Sequence, residues 1–131
     1  MWLVDRLLPG PVLLAGGPRW LGLLPMVLGL GLGLWGVACF RRARTSPIPF
    51  AEPSAVVTDG PYRFTRNPMY LGLALILVGW AMLLGSTLPF LLVPLFILVI
   101  DSRFVRREEP FLAERLGPAY DAYRRRVRRW L

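Results

Sequence analysis

The segment Pro68–Ile100, PMYLGLALILVGWAMLLGSTLPFLLVPLFILVI, contains no charged residue over 33 positions. One helix needs about 20 apolar residues to cross the hydrocarbon core of a bilayer, so this segment is too long for one crossing and suits two. Gly85-Ser86-Thr87 lies near its middle and is typical of a tight turn. The sequence therefore predicts a hairpin of two membrane helices over residues 68–107.

Arginine is concentrated at both ends of this hairpin. Residues 41–67 carry five arginines against two acids, and residues 101–131 carry nine against five. Because cytoplasmic segments of membrane proteins carry an excess of positive charge, we expect both ends in the cytoplasm. Residues 20–40 form a further apolar span that ends at Arg41-Arg42. Residues 1–19 are predicted to form a short or broken first membrane segment, with a peripheral arm as the alternative.

The composition excludes several classes of protein. The 131 residues suit one domain, and a hydrophobic content of 55% is too high for a disordered chain. The chain has no histidine, and Cys39 is its only cysteine, which argues against imidazole catalysis, a disulfide scaffold and a multi-cysteine metal site. We therefore expect an all-α polytopic membrane protein with three to four membrane segments arranged as hairpins.

A cytoplasmic loop over residues 41–67 and an amphipathic segment over residues 108–131 complete this prediction. In the latter, apolar residues recur every three or four positions, as on one face of a helix, or of two helices bent at Gly117-Pro118. They are Leu112, Leu116, Tyr120, Tyr123, Val127 and Trp130. The opposite face is rich in arginine. Nucleic acid is one partner for such a face, but an anionic membrane surface is favoured.

An ordered set of motifs surrounds the hairpin. It consists of GPYRFTRNPMYLG over residues 60–72, EEPF over residues 108–111 and LGPAYDAY over residues 116–123. This set resembles the integral-membrane methyltransferases, a superfamily that includes isoprenylcysteine carboxyl methyltransferases and phospholipid N-methyltransferases. The resemblance implies S-adenosylmethionine as methyl donor, bound at the cytoplasmic ends of the helices. It also implies a hydrophobic or lipid-like small-molecule acceptor that enters from the bilayer.

The resemblance also implies site residues. The Arg-His-Pro-x-Tyr-x-Gly element of the isoprenylcysteine branch falls on residues 66–72, with Asn67 in place of histidine, and this variant is similar to the phospholipid branch. A Gly-x-Gly element of the preceding span falls on glycines that also suit helix packing. The predicted donor-binding residues are Asn67, Pro68, Tyr70, Gly72, Glu108, Glu109, Gly31 and Tyr120. The predicted catalytic residues are Arg66, Glu108 and Asp101.

Methyl transfer from a sulfonium suits these residue types. The reaction is an in-line displacement, so the protein chiefly positions donor and acceptor and excludes water. Carboxylates suit the amino group and ribose hydroxyls of the donor. Glu108 and Glu109 point about 100° apart on a helix, so one can face the donor while the other pairs with Arg66 or Arg106. The alternative is a solvated acidic pair that balances the arginines around it.

Other candidates have two interpretations each. Asn67 precedes a proline and marks a helix start, where backbone N–H groups can hold a carboxylate or the side chain can simply cap the helix. Tyr62 and Tyr70 suit adenine stacking or an interfacial aromatic belt. Asp101 and Arg103, at the end of the last span, are functional candidates, with a mutual ion pair as the alternative.

The sequence thus predicts S-adenosylmethionine-dependent methyl transfer to an acceptor of the isoprenylcysteine carboxylate or phospholipid amine type. All sixteen basic residues are arginine, which suggests a GC-rich bacterial genome and hence the inner membrane, with the active site and the C-terminal segment cytoplasmic. The alternative is a non-catalytic membrane assembly or transport-associated protein on the same scaffold. The acceptor, the oligomeric state and the course of residues 1–19 stay open.

Overall fold

The computed structural model describes residues 2–7 and 17–131. The regular elements in this part of the chain are helical, without a β-strand, which confirms the predicted all-α class. The helices are α1 (Trp2–Leu7), α2 (Leu23–Arg42), α3 (Pro68–Leu84), α4 (Leu88–Ile100), α5 (Arg106–Leu116) and α6 (Pro118–Arg126). Short 3-10 turns lie at Arg19–Gly22 and Gly60–Arg63.

Helices α2 and α3 pack against each other, antiparallel, through two pairs of glycines. Gly22 lies on Gly79, and Gly29 lies on Gly72. A Cβ atom on any of these glycines would overlap the carbonyl oxygen of its partner. The two pairs are seven residues apart along each helix, so both lie on the same helix face. Small residues in this pattern let membrane helices approach closely, and here they fix the position of the start of α3.

A tight turn joins α3 to α4, as the sequence predicts. Helix α3 ends at Leu84, and Gly85 follows with φ of 76°, a left-handed conformation that favours glycine. Helix α4 then starts at Leu88 with the buried Pro89 in its first turn. A proline is tolerated there because a backbone N–H in the first turn has no acceptor within the helix.

The second helix of the hairpin is longer than predicted. It does not end near Arg107 but passes through a π-helical turn, Asp101–Val105, and continues as α5 to Leu116. The π-helical turn and Pro110 each remove only some of the backbone hydrogen bonds of the helix, so the helix continues through both. At Gly117, φ of 63° and ψ of −139° turn the chain sharply into α6, so the two-helix alternative is the one observed.

Among the described residues, two helices are long and apolar enough to cross a bilayer, Arg19–Arg42 with 24 residues and Leu88–Leu116 with 29. Helix α3 is equally apolar but has 17 residues. Large apolar side chains on α2 and α4 face outward, with Leu28 exposed by 66% and Leu98 by 67%. Such a surface suits lipid rather than water.

Helix α1 lies within the predicted first membrane segment, residues 1–19, and contacts α4. Residues 8–16 lie outside the described residues, so the course of this segment stays a prediction. The expected three to four membrane segments likewise stay a prediction, since two helices meet the length and composition of a span.

The tightest side-chain packing lies where α2 ends and α3 begins. Helix α6 buries its tyrosines there, whereas Arg124, Arg125 and Arg126 are exposed. The buried cluster consists of Cys39, Val57, Tyr62, Tyr120, Tyr123 and Val127. The predicted helical periodicity fails after Arg126, because Val127 is extended with φ of −116° and ψ of 129°. Trp130 therefore lies on an extended segment and not on a helix face.

Candidate active site

A cavity of about 850 Å³, including the space that opens to solvent, lies at this end of the helices. Residues of α2, α3, α5 and α6 form its helical walls, and the loop between α2 and α3 forms the remaining wall. Seven of the predicted site residues line it, namely Arg66, Asn67, Pro68, Tyr70, Glu108, Glu109 and Tyr120.

Asn67 lies at the start of α3, as predicted, but its side chain does not cap that helix. The backbone carbonyl of Asn67 accepts the N–H of Leu71 at 3.0 Å, as in an ordinary first turn. Its side-chain Nδ2 instead donates to the backbone carbonyl of Arg129 at 2.9 Å. The plain helix-cap interpretation is therefore wrong: the amide joins α3 to a segment distant in sequence.

Of the two adjacent glutamates, Glu109 is the one that forms ion pairs with arginines. Its Oε1 lies 2.9 Å from a terminal nitrogen of Arg66, and both side chains are 13% exposed. Arg129 donates to the same carboxylate through Nε at 3.0 Å and through a terminal nitrogen at 2.8 Å. Charge-assisted, two-pronged contacts of this kind are short and directional, so Glu109 is held in one orientation between two arginines.

Glu108 has different surroundings. It lines the cavity together with Tyr62 and Tyr70, and no cation of the described residues forms an ion pair with it. Consecutive residues of a helix point about 100° apart, which explains why pairing Glu109 leaves Glu108 directed at the cavity. A half-buried carboxylate without a cation is costly unless something binds to it. The structure thus distinguishes two residues that the sequence leaves equivalent.

Asp101 does not line the cavity. Its carboxylate accepts from Nε of Arg106 at 2.7 Å and from the indole N–H of Trp130 at 3.2 Å. A nitrogen of Arg129 lies 3.6 Å away. Arg103 is exposed and makes no ion pair with Asp101, so the mutual pair considered as an alternative is wrong: the partners are Arg106 and Arg129. A direct catalytic role of Asp101 stays a prediction, and its position outside the cavity gives that role no support.

Three buried tyrosines, Tyr62, Tyr120 and Tyr123, form part of the cavity wall. The hydroxyl of Tyr123 donates to the backbone carbonyl of Tyr62 at 2.9 Å. The hydroxyl of Tyr62 is buried without a hydrogen-bond partner among the described residues. Burial raises the pKa of both phenols well above the ordinary value of 10.0. Burial, and secondly the charge of Glu109, raises the pKa of Tyr120. These phenols therefore stay neutral, and act as hydrogen-bonding and packing groups.

The predicted glycines lie outside the cavity lining. Gly72 contacts the backbone of Gly29 and so serves the packing of α3 on α2. Gly31 is exposed, and open space surrounds the position of an added Cβ atom. In the Gly-x-Gly element of the preceding span, the packing alternative accounts for Gly29, whereas the structure gives Gly31 no contact with the site.

The loop between α2 and α3 covers the cavity. Thr45 and Ser54 close its base, since Oγ1 of Thr45 accepts the N–H of Ser54 at 3.1 Å. Its tip lies on α5, where Phe50 packs edge-to-face on Phe111 with ring centroids 5.9 Å apart. Ion pairing of an exposed glutamate in the loop with Arg115 adds a weak contact. In the sequence, the apolar residues of this loop are the feature that indicates packing against the rest of the protein.

Sequence reasoning missed Arg129, which links several site residues. It lies in a run of arginines that suggests only orientation and membrane anchoring. Helical periodicity also places it on the exposed face, because the break at Val127 has no glycine or proline to mark it. No signal in the sequence singles it out.

A family model described as phospholipid methyltransferase matches residues 18–119. An uncharacterized protein of Haemophilus influenzae is 48% identical over 63 residues, which are 48% of this chain and 100% of that protein. Protein-S-isoprenylcysteine O-methyltransferase of Schizosaccharomyces pombe is 36% identical over 72 residues, which are 55% of this chain and 30% of that enzyme. No solved structure gave a significant match.

The family match covers well over half of the chain. It includes the start of α3 and both glutamates, which the structure places around one cavity. The relative in fission yeast is an enzyme of the isoprenylcysteine branch, the other branch that the sequence resembles. The chain therefore belongs to the phospholipid methyltransferase family, within the superfamily of integral-membrane methyltransferases.

Proposed function

We propose that the protein transfers a methyl group from S-adenosylmethionine to a hydrophobic or lipid-like acceptor. One observation carries this proposal beyond the family match. The cavity at the end of apolar helices contains a carboxylate, Glu108, that forms no ion pair with any arginine in the described part of the chain. A membrane protein with only a structural role gains nothing from such a group, since burying an unpaired charge is costly.

The residues around the cavity fit the functional groups of this donor. Glu108 can accept from an amino group or from ribose hydroxyls. The Nε atom of Arg66 is buried without a hydrogen-bond partner among the described residues, and it suits a carboxylate. Tyr62 and Tyr70 provide aromatic surface for adenine. The carboxylate of the donor, and its amino group or ribose hydroxyls, thus have complementary groups in the cavity.

When bound, the donor supplies an electrophilic methyl group on a sulfonium. The contribution of the chain is to position and to exclude water, because an in-line displacement needs little acid or base chemistry on the donor side. Pro47, Ile48 and Pro53 on the loop side make the cavity wall apolar and shield it from water. Arg66 and Glu108 orient the donor from the helical side.

The acceptor is expected to be amphipathic. Apolar loop residues and the exposed apolar faces of α2 and α4 suit a ligand with a hydrocarbon part. The family name points to a phospholipid amine, and the fission yeast relative to an isoprenylcysteine carboxylate. A carboxylate needs only placement, whereas an amine must lose a proton, for which Glu108 is the available base in the cavity.

The proposed location is the bacterial inner membrane, with the cavity on the cytoplasmic side. The segments around the cavity carry most of the arginines, in agreement with the positive-inside rule. The exposed arginines of α6 suit the anionic headgroups of that leaflet. Membrane lipids are thus its expected surroundings.

Transfer of a labelled methyl group tests the proposal. Purified protein receives labelled donor with phosphatidylethanolamine or with a farnesylated cysteine as acceptor. We expect transfer to one of them, a loss of at least tenfold in Glu108→Gln, and full activity in Glu114→Gln, which alters an exposed glutamate of the same helix. Absence of transfer to either acceptor, with equal behaviour of both variants, would favour the non-catalytic alternative.

A further inference from the structure

The segment Val127–Leu131, here called the strap, crosses the start of α3 and is held there by backbone hydrogen bonds. The N–H of Arg66 donates to the carbonyl of Arg128 at 3.0 Å. The carbonyl of Arg129 accepts from the hydroxyl of Thr65 at 3.2 Å and from Nδ2 of Asn67 at 2.9 Å. Three consecutive residues, Thr65 to Asn67, therefore bind the strap, and the last two of them line the cavity.

Side chains of the strap reach the other wall of the site. Arg129 makes the two-pronged contact with Glu109 and lies 3.6 Å from Asp101. The indole of Trp130 donates to Asp101 at 3.2 Å. The strap thus connects the start of α3 with the π-helical turn and with α5, two parts of the fold that carry the opposite walls of the cavity.

Arg129 is central to this connection. Its carbonyl holds Asn67, and its guanidinium holds Glu109, which in turn pairs with Arg66. Glu108 is adjacent to Glu109 on the same helix turn. Holding Glu109 in place therefore also fixes the direction in which α5 presents the Glu108 carboxylate to the cavity. Arg129 is 34% exposed and does not line the cavity, so it acts through other residues.

We propose that Arg129 is a positioning residue that orders Arg66, Asn67 and Glu108 for the methyl donor. This inference rests on the proposed function and deepens it. The strap lies beyond residues 18–119, the part of the chain that the family model matches. The role is therefore assigned by the contacts of this chain alone.

Calorimetric titration with S-adenosylhomocysteine, the demethylated donor, tests this role in detergent-purified protein. Losing a charge-assisted, two-pronged contact is expected to weaken affinity about tenfold in Arg129→Gln. Arg129→Lys keeps the charge but not the planar geometry, and is expected to recover part of the affinity. Arg125→Gln removes the same charge from an exposed side chain of α6 and is expected to bind as the wild type does.

The titration separates positioning from a merely structural role. If Arg129 is a positioning residue, its substitution changes the dissociation constant and leaves the measured number of binding sites per protein molecule unchanged. A structural role lowers the number of sites with an unchanged constant, and that result overturns the inference. If Arg129→Gln does not fold, Arg129→Lys decides, and wild-type affinity in that variant overturns the inference. Absence of binding by the wild-type protein instead refutes the proposed function itself.

Discussion

Two adjacent glutamates of α5 have opposite environments. Glu109 is neutralised by Arg66 and Arg129, whereas Glu108 faces the cavity and forms no ion pair with the described residues. A carboxylate with its charge satisfied supports the fold, and one without a partner is available to a ligand. We therefore expect substitution at these neighbouring positions to separate stability from binding.

Glu109→Gln is expected to lower the free energy of unfolding by about 1–3 kcal/mol, because it leaves two arginines without their shared carboxylate. Thermal or denaturant unfolding in detergent measures this change. Glu114→Gln is the matched control, since Glu114 is exposed on the same helix and makes no ion pair with described residues. Equal stability of the two variants would contradict the assignment.

Glu108→Gln is expected to leave the unfolding free energy unchanged or to raise it, because the substitution removes an unpaired, half-buried charge. The same variant is expected to lose donor affinity. Unfolding of the protein without ligand, compared with that of wild type, provides the measurement. A loss of stability as large as that of Glu109→Gln would show that Glu108 has a protein partner.

At the scale of residues, the sequence predicts most of the site but not its internal pairing. Seven predicted residues line one cavity, and the spacing of the two glutamates correctly implies different directions. Arg129 determines which of the two glutamates is paired. The position of Arg129 follows from the end of the helix at Val127, which no residue type in the sequence indicates. The alternative pairing of Asp101 with Arg103 is wrong in part for the same reason, because two observed partners of Asp101, Arg129 and Trp130, follow that break.

At the scale of elements, glycine contacts between α2 and α3 determine where the site begins. Gly72→Leu is expected to destabilise the protein by about 1–3 kcal/mol, since the side chain would enter the backbone of α2 at Gly29. Gly31→Leu is the control: that position has open space, and leucine gains up to about 1 kcal/mol of helix propensity. Unfolding midpoints in detergent compare the two.

Equal destabilisation by Gly72→Leu and Gly31→Leu would contradict this packing. An exposed helix position should accept leucine. A loss of stability in Gly31→Leu would therefore show that Gly31 has contacts, as the prediction that it takes part in the site requires. A loss of donor affinity confined to Gly31→Leu, without a loss of stability, would support the donor-binding prediction directly.

The elements themselves follow well from local signals. An uncharged run bounded by arginines, a glycine at the turn and a proline at the first helical position of α3 predict the hairpin correctly. The extension of the second helix to Leu116 could not be predicted, because the apolar run ends at Ile100 and the charged segment that follows contains Pro110.

At the scale of the whole molecule, titration of the tyrosines is expected to govern stability at high pH. The chain has no lysine or histidine whose titration would overlap with that of its tyrosines. Burial raises the pKa of Tyr62 and Tyr123, whereas the unfolded chain ionises them near 10. Above that pH the unfolded state binds fewer protons than the folded state, so stability falls as pH rises.

The expected slope is about 1.4 kcal/mol per pH unit for each phenol that stays neutral in the folded state. Denaturant midpoints between pH 8 and pH 11, together with phenolate absorbance, measure it. Tyr62→Phe should flatten the profile, and its hydroxyl has no hydrogen-bond partner to lose among the described residues. A midpoint that does not change with pH would show that these phenols are accessible to solvent.

The proposed donor site depends on Glu108 as its ligand-binding carboxylate. The most direct test is calorimetric binding of S-adenosylmethionine to wild type, Glu108→Gln and Glu114→Gln in detergent. We predict saturable binding by wild type and Glu114→Gln, and a loss of at least tenfold in Glu108→Gln, the size expected for one charge-assisted hydrogen bond. Folded wild-type protein that binds no donor, or Glu108→Gln that binds it as tightly as wild type, would contradict the account.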